Sequence, residues 1–323
     1  MSEAVLDRLS AGLHRALGET ILAALRDPAT VELYRNPDGN VWHERHGSAR
    51  SILCNLSAAH ADQVVRLAAS TMDDAVHRDR PCVSATLFDG RVRFQGSLPP
   101  VVPSPTFVMR VAAAAVFPLH QYVEQGVMPE AWAGVLSDAV ATKQNILVAG
   151  GTGSGKTTLL NALVALVKDD RVISIEDTRE LRVTAADHVG LLTKPTEPRV
   201  SMSELVRLTL RMRPDRILVG EVRGGEALDL VKAWNTGHPG GLGTIHANSA
   251  IDALQRLEDL IGEVAQNVPR RAIASAIDLI AFIRRDQAAP AGRRVTELVR
   301  VSGLRPDGGY DVRPAMPDLA LAA

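Results

Sequence analysis

A glycine-rich loop between an apolar run and a helical run constrains the fold of this chain more strongly than any other feature. Residues 150–157 have the sequence GGTGSGKT, which matches the pattern G-x-x-x-x-G-K-[ST], and a further threonine follows. Glycines lack the Cβ that would clash when successive backbone N–H groups turn inward around a phosphate. The residues that we expect to bind a nucleotide here are Gly150, Gly151, Thr152, Gly153, Ser154, Gly155, Lys156, Thr157 and Thr158.

Two side chains of this loop carry the chemistry of a phosphate site. Lys156 is spaced to reach the β- and γ-phosphates of a nucleotide, and the hydroxyl of Thr157 is a ligand for Mg²⁺. A chance match to the pattern has odds of about one in a hundred at ordinary glycine usage, and a strand before the loop with a helix after it lowers those odds. We therefore expect ATP and Mg²⁺ as ligands, rather than a glycine-rich turn with an incidental lysine.

The second half of the chain alternates apolar runs with helical stretches. The four apolar runs lie at residues 145–149, 171–175, 217–219 and 242–245. Residues 157–167 have the spacing of a helix, and short apolar runs between helices are typical of a parallel sheet that is covered on both faces. From residue 278 onward the pattern predicts further strands, with a turn at residues 306–309.

The first part of the chain has a different pattern. Leucine and isoleucine recur every three or four residues from Leu6 to Leu25, which predicts one amphipathic helix. The turn sequences at residues 36–39 (NPDG) and 89–90 (DG) each separate two short β-like runs, and Gly accepts the positive φ that a hairpin turn needs. Residues 62–72 predict a helix between the two hairpins. Together these elements predict a small α+β domain that ends near residue 117.

Acidic residues and histidines follow the apolar runs of the second half. Glu176 and Glu180 come after the second run, Glu221 and Arg223 after the third, and His246 after the fourth. Ligands of open α/β sheets bind beyond the carboxyl ends of the strands, so we expect these side chains to meet the phosphate loop. Each alone has an ordinary explanation, such as a helix N-cap or a solvated loop charge. Because several such side chains are expected beside one phosphate loop, a catalytic role is favoured over these ordinary explanations.

Phosphoryl transfer assigns roles to these groups. It requires a carboxylate at Mg²⁺, a carboxylate that orients or deprotonates the attacking water, and cations near the γ-phosphate. Glu221 suits the metal, because it ends a buried strand and has little freedom. Glu176 and Glu180 are both candidates for the water. His246 and His238, which lies eight residues earlier, are candidate catalytic histidines.

Charge and composition exclude other classes of protein. The 36 Lys and Arg against 37 Asp and Glu give a net charge of −1, so no overall basic field draws the chain to nucleic acid or anionic lipid. The 46% of hydrophobic residues excludes a disordered chain. Two cysteines are too few for a disulfide framework or a four-thiolate zinc site. No apolar stretch is long enough to span a membrane, so we expect a cytoplasmic protein that can dock peripherally on the inner membrane.

Four segments carry a resemblance to a known group of proteins. In order, GGTGSGKTT, IEDTREL, RMRPDRILVGEVRGGEALD and TGHPGGLGTIHANSA resemble the Walker A loop, Asp box, Walker B segment and His box of the secretion and pilus ATPase superfamily. The match covers most of residues 118–285, and RVRFQG at 91–96 is similar to the family's N-terminal domain. The Thr after Asp in IEDT is similar to the type IV secretion branch, and the chain most resembles its conjugal-transfer ATPases, the TrbB-like proteins. Gly220-Glu221 replaces the Asp-Glu of a strict Walker B, as in this family.

The resemblance implies a fold and an assembly. It implies an α/β fold with a RecA-like P-loop NTPase domain at residues 118–323, built on a mainly parallel sheet, after a smaller α+β N-terminal domain at residues 1–117. It also implies a homo-hexameric ring that works with inner-membrane components of a type IV secretion or mating-pair apparatus. Contact with nucleic acid is left open.

The resemblance further implies roles for individual residues. Glu180 matches the second Glu of the Asp box and is therefore the water-activating residue. The resemblance also implies that Arg211 and Arg223 neutralise charge near the γ-phosphate, and that Arg93 or Arg110 contributes from the N-terminal domain. Arg207 and Arg213 lie close to Arg211 in sequence and are alternatives to it.

The leading functional interpretation is a Mg²⁺-dependent ATPase motor of a conjugative type IV secretion system. Three alternatives share the phosphate loop: a pilus retraction or assembly motor of the same superfamily, a nucleotide-gated scaffold with negligible hydrolysis, and a small-molecule kinase.

Overall fold

The computed structural model describes residues 3–45, 48–72, 75–88, 90–111, 116–194 and 198–315. The chain divides into two units, Met1–Ala114 and Ala115–Ala323, each with its own sheet. None of the helices within the described residues combines the length and the apolar character needed for a membrane span.

The first unit is an antiparallel sheet with two helices. Its elements are α1 (Glu3–Arg26), β1 (Thr30–Arg35), β2 (Asn40–Arg45), β3 (Ser51–Asn55), α2 (Ala58–Thr71), β4 (Cys82–Leu87), β5 (Val92–Ser97) and β6 (Thr106–Val111). The strand order is β3-β2-β1-β6-β5-β4. Antiparallel pairing of β1 with β2 and of β4 with β5 confirms both predicted hairpins. The predicted helix after the first hairpin is α2, which begins earlier than expected because the Ser57 side chain caps it.

The helix predicted from the leucine repeat is interrupted. Gly18 has φ 77 and ψ 160, so α1 is two helical segments rather than one. Glycine accepts this conformation because it has no Cβ to clash with the backbone. Leu13 and Leu17 before the break, and Ile21 and Leu25 after it, are all buried in the core of this unit. The apolar spacing therefore predicted the buried face correctly and missed the break.

The second unit is an α/β arrangement. Its elements are α3 (Leu119–Glu124), α4 (Glu130–Ala141), β7 (Ile146–Gly150), α5 (Lys156–Val164), β8 (Val172–Glu176), β9 (His188–Leu192), α6 (Met202–Thr209), β10 (Arg216–Val222), α7 (Glu226–Asn235), β11 (Leu242–His246), α8 (Ala250–Gly262), α9 (Arg270–Ala276), β12 (Leu279–Arg285), β13 (Arg293–Leu304) and β14 (Tyr310–Pro314). The four predicted apolar runs correspond to β7, β8, β10 and β11. The strands predicted near the C-terminus are β12, β13 and β14.

The eight-stranded sheet of this unit is mixed, which corrects the expectation of a mainly parallel sheet. Its order is β14-β13-β12-β7-β11-β10-β8-β9, and β12 to β9 run parallel while β13 and β14 are antiparallel. The connection between β12 and β13 spans only residues 286–292, which is too short for a crossover between parallel strands. The chain therefore turns back on itself as a hairpin at this side of the sheet.

Helices cover both faces of the parallel strands. Residues of α6 to α9 form one apolar layer, and residues of α3 to α5 form the other. Every residue of β7 and β8 is consequently buried. Burial on both faces explains why these strands are continuous apolar runs instead of alternating ones.

Candidate nucleotide-binding site

The predicted phosphate loop joins the end of β7 to the start of α5. Gly153 has φ 68 and Gly155 has φ 103, in the region of backbone conformation that favours glycine. A Cβ placed on Gly150 would lie 2.2 Å from the carbonyl oxygen of Ile283 on β12. Glycines at these three positions are therefore required by the backbone path and by its close approach to the neighbouring strand.

The loop has the properties that a phosphate ligand needs. The first four N–H groups of α5 have no partner within the helix, and the helix dipole makes this end positive. Lys156 is only 8% exposed, and its Nζ donates to the carbonyl oxygen of Gly151 at 3.0 Å. The Ser154 hydroxyl is buried without a hydrogen-bond partner among the described residues. The loop is therefore polar, cationic and incompletely satisfied by the protein alone.

Three strand ends lie at the same edge of the sheet as this loop. In register, His246 is opposite Gly150, and Val219 is opposite Ile175, the residue before Glu176. Because β7, β11, β10 and β8 are adjacent and parallel, their carboxyl ends share one edge. The structure thus brings His246, Glu176 and the segment that carries Glu221 to the edge that holds the phosphate loop.

The side chain of Glu176 accepts hydrogen bonds from the backbone of the segment that follows it. Its side chain lies in the interior with only 5% of the residue exposed, and its Oε1 accepts the N–H groups of Glu180 and Leu181, both at 2.8 Å. Burial raises the pKa of this carboxyl, and the two backbone hydrogen bonds oppose the change. Glu176 therefore holds the loop that carries Glu180. Glu180 itself is only half-buried.

Asn161 of α5 holds the same loop from the other side. Its Nδ2 donates to the carbonyl oxygen of Glu180 at 3.0 Å, and its Oδ1 accepts the N–H of Arg182 at 2.7 Å. Sequence reasoning missed this residue. The available signal was a single polar side chain among the apolar residues 159–164 of that helix.

Glu221 and Arg223 are paired with each other at the end of β10. The Nε of Arg223 is 2.9 Å from the Oε2 of Glu221, and its Nη1 is 3.7 Å from a carboxylate oxygen of Asp177. Glu226 accepts the backbone N–H groups of Arg223 and Gly224 at 2.7 and 2.9 Å, and so holds the turn. Glu226 is a second residue that sequence reasoning missed, because a carboxylate at a helix start has many uses.

The structure does not bring His238 to this edge. His238 precedes β11, and its Nδ1 lies 3.3 Å from the carbonyl oxygen of Pro214, which precedes β10. The starts of two parallel strands lie at the edge opposite their ends. The five residues of β11 separate His238 from the edge that holds His246, and the catalytic role of His238 stays a prediction.

The remaining predicted arginines lie in two places. Arg211 is exposed in the turn after α6, while the nearby Arg207 makes two 3.0 Å hydrogen bonds to Asp229. In the first unit, Arg93 and Arg110 are directly opposite each other on β5 and β6. The pairing of Arg207 with Asp229 favours Arg211 over Arg207, and Arg213, which is also exposed, stays an alternative to Arg211.

Comparisons with known proteins found similar sequences and a similar fold over most of the chain. The sequence profile described as "Type II/IV secretion system protein" matches residues 46–302. The chain is 43% identical over 302 residues to the conjugal transfer protein TrbB of Rhizobium radiobacter, with 92% of each chain covered. It is 31% identical over 313 residues to the type IV secretion system protein VirB11 of Bartonella quintana, covering 83% of this chain and 88% of that protein. The crystal structure of the ATPase DotB from Yersinia pseudotuberculosis has a similar fold, with a TM-score of 0.61 and 16% identity over 93% of this chain and 78% of that one.

Proposed function

Because this chain belongs to the type II/IV secretion system protein family, we propose that it is an ATP-hydrolysing motor of a conjugative type IV secretion system. The observation that carries the proposal is the shared sheet edge, where the phosphate loop, the Glu176–Glu180 segment and Glu221 meet. The similarity to a conjugal transfer protein over nearly the full length supports the conjugative system in preference to a pilus motor.

The ligands of this site are ATP and Mg²⁺. Backbone N–H groups of the loop and the Lys156 ammonium would hold the phosphates, and the Thr157 hydroxyl and Glu221 would hold the metal, directly or through its water. When bound, Mg²⁺ neutralises charge on the phosphate oxygens. Within the described residues no group of three or more His, Cys, Asp or Glu side chains could bind a metal by itself. This suits a metal that is held mostly by the nucleotide.

Glu180 is the residue that we assign to the attacking water. Glu180 is half-buried, while the neighbouring Glu176 is buried and its Oε1 already accepts two backbone N–H groups. Arg223 would exchange its contact with Glu221 for the γ-phosphate, which would leave the Glu221 carboxylate to hold the metal. Arg211, Arg93 and Arg110 are the further cations in this proposal, and His246 contacts the phosphate edge.

The assembly that we propose is a homo-hexameric ring on the cytoplasmic face of the inner membrane. Its partners are inner-membrane components of the secretion apparatus, and the proposal includes no direct contact with DNA. Residues 1–117 act as an N-terminal domain that supplies arginines, and residues 118–323 act as the ATPase domain. Head-to-tail contacts repeated around a closed ring let the nucleotide state of one subunit bias the next.

The experiment that tests this function is steady-state phosphate release with Mg²⁺ and ATP. Lys156→Ala is expected to lower turnover by at least about a hundredfold, because it removes the main fixed cation at the β- and γ-phosphates. Its circular dichroism spectrum should match that of the parent, since the hydrogen bond that it loses, to the Gly151 carbonyl, lies in a loop outside the helices and strands. The matched control is Lys168→Ala, at an exposed position in the segment after α5, which should keep full activity.

Two results would contradict the proposal. Negligible phosphate release by the parent protein would favour a nucleotide-gated scaffold, and turnover of Lys156→Ala within about threefold of the parent would remove the loop from catalysis. In the same assay, Glu180→Gln should lower kcat with little change in ATP affinity, because water activation matters only in the transition state.

A further inference from the structure

The hairpin formed by β12 and β13 lies directly against the phosphate loop. β12 pairs in parallel with β7, with Phe282 opposite Ala149, so the carboxyl end of β12 reaches the edge where the loop begins. The carbonyl oxygen of Ile283 lies 2.2 Å from the position of a Cβ on Gly150. The last residues of β12 and the first residues of β13 are therefore neighbours of the loop, although they are far from it in sequence.

Two arginines of this hairpin pack on glycines of the loop. The Nε of Arg285 donates to the carbonyl oxygen of Gly153 at 3.2 Å, and its Nη2 lies 2.2 Å from the position of a Cβ on Gly153. The Nη1 of Arg293 lies 2.8 Å from the position of a Cβ on Gly155. A side chain at either glycine would occupy the place of a guanidinium group. The two glycines thus serve the approach of these arginines as well as the path of the backbone.

The two arginines of this hairpin carry like charges at directly opposite positions. Arg285 and Arg293 are cross-strand partners, and like charges in that arrangement repel each other. Their neighbour Arg294 forms an ion pair with Asp286 at 3.6 Å. Among the described residues, no carboxylate oxygen forms an ion pair with Arg285 or Arg293. A polyanion bound in the loop is the partner that would offset the repulsion.

We propose that Arg285 and Arg293 are positioning residues that hold the phosphate loop ready for a nucleoside di- or triphosphate. Arg285 draws the Gly153 carbonyl to the outer side of the loop, and both guanidinium groups raise the positive potential at the phosphates. The inference rests on the proposed function, because it concerns the same loop. It assigns to the hairpin a role in nucleotide affinity, with the chemical step left to Glu180 and Glu221.

The test measures ADP and ATP affinity by calorimetry and kcat by phosphate release, on full-length variants. Arg285→Gln and Arg293→Gln should each weaken ADP binding by about tenfold, because each removes a charged group that lies against the loop. At saturating ATP, kcat should stay within about twofold of the parent. Arg285→Lys keeps the charge and loses the fork, and should recover part of the affinity. The matched control is the exposed neighbour Arg284→Gln, on the opposite face of β12, which should bind ADP like the parent.

The salt dependence of ADP affinity distinguishes an electrostatic role of the two arginines from a purely structural one. The difference in ADP affinity between the parent and Arg285→Gln should shrink as ionic strength rises, because the lost interaction is electrostatic. The melting temperature without ligand should be unchanged. Equal ADP affinity in the parent and both variants, or an equal loss in Arg284→Gln, would overturn the inference while leaving the proposed function intact. Failure of the parent to bind any nucleotide would overturn both.

Discussion

The carboxylate of Glu176 is withdrawn from solvent, and its charge is costly at that position. Two backbone N–H groups offset part of the cost, and the net pKa of the carboxyl is nevertheless raised. An acid with a raised pKa in the folded state binds protons more tightly there than in the unfolded chain. As the pH falls towards 4.5, the usual pKa of glutamate, proton binding to Glu176 therefore stabilises the folded state. As the pH rises above the raised pKa of Glu176, this contribution to the free energy of unfolding is lost.

Glu176→Gln tests this balance at the scale of one residue. The Gln side-chain oxygen can accept the same two N–H groups without a buried charge, so the variant should be at least as stable as the parent at pH 7. The difference in unfolding free energy between variant and parent should shrink as the pH falls towards 4.5. Urea denaturation at several pH values measures both effects. The exposed Glu263→Gln is the control, and a clear loss of stability for Glu176→Gln at pH 7 would show that the buried charge is itself stabilising.

Asn145 is where three elements of the second unit are joined. Its residue is 4% exposed, its Oδ1 accepts the N–H of Gly241 before β11 at 2.7 Å, and its Nδ2 donates to Ala276 of α9 at 2.8 Å. Its backbone N–H donates to Asp278 before β12. These contacts set the start of β7 relative to β11 and β12. The register of those strands in turn places the phosphate loop beside His246 and the hairpin.

Asn145→Ala should therefore destabilise the chain at the scale of its elements. The change leaves a buried N–H and a buried carbonyl without partners, at about 1–3 kcal/mol each, so a loss of about 2–6 kcal/mol is expected. Asn235→Ala is the matched control, because that side chain also donates to a carbonyl, Ala272, but lies exposed at the end of α7. Chemical denaturation compares the two variants. Equal losses would mean that the linking role of Asn145 is wrong.

The whole molecule consists of two units, and the proposed mechanism uses both. Arg93 and Arg110 face each other across β5 and β6, and Arg110 is also opposite Glu32 of β1. Arginine suits a γ-phosphate because its planar fork binds phosphate oxygens and stays charged. If Arg93 and Arg110 act at the γ-phosphate, ATP hydrolysis in the second unit depends on the first unit, which carries these arginines.

Alanine at Arg93 and Arg110 together tests this dependence. Turnover should fall by about 10³-fold or more, the effect of an arginine delivered to the γ-phosphate in other phosphoryl-transfer enzymes. Light scattering should give the same mass for the double variant as for the parent, because the change concerns charge at the nucleotide. Arg91→Ala, at an exposed position beside β5, is the control. Parental turnover in the double variant would exclude both arginines from catalysis.

Local features of the sequence determined most of the elements. The NPDG turn predicted the hairpin of β1 and β2, and the GGTGSGKT loop predicted a strand before it and a helix after it, because glycine conformation and side-chain spacing act within a few residues. The buried face of α1 was also predictable. Its break at Gly18 was not, because a glycine within a helical pattern is compatible with an unbroken helix.

The tertiary structure alone decided how the site is supported. Three features of the site depend on the order of the strands. Glu176 binds the backbone of the loop that carries Glu180, Asn161 binds the same loop, and His238 lies at the opposite edge of the sheet. Arg285 binds the carbonyl of a residue 132 positions away. Such contacts join surfaces that meet only after the sheet has formed. The spacing of side chains along the sequence therefore does not predict them.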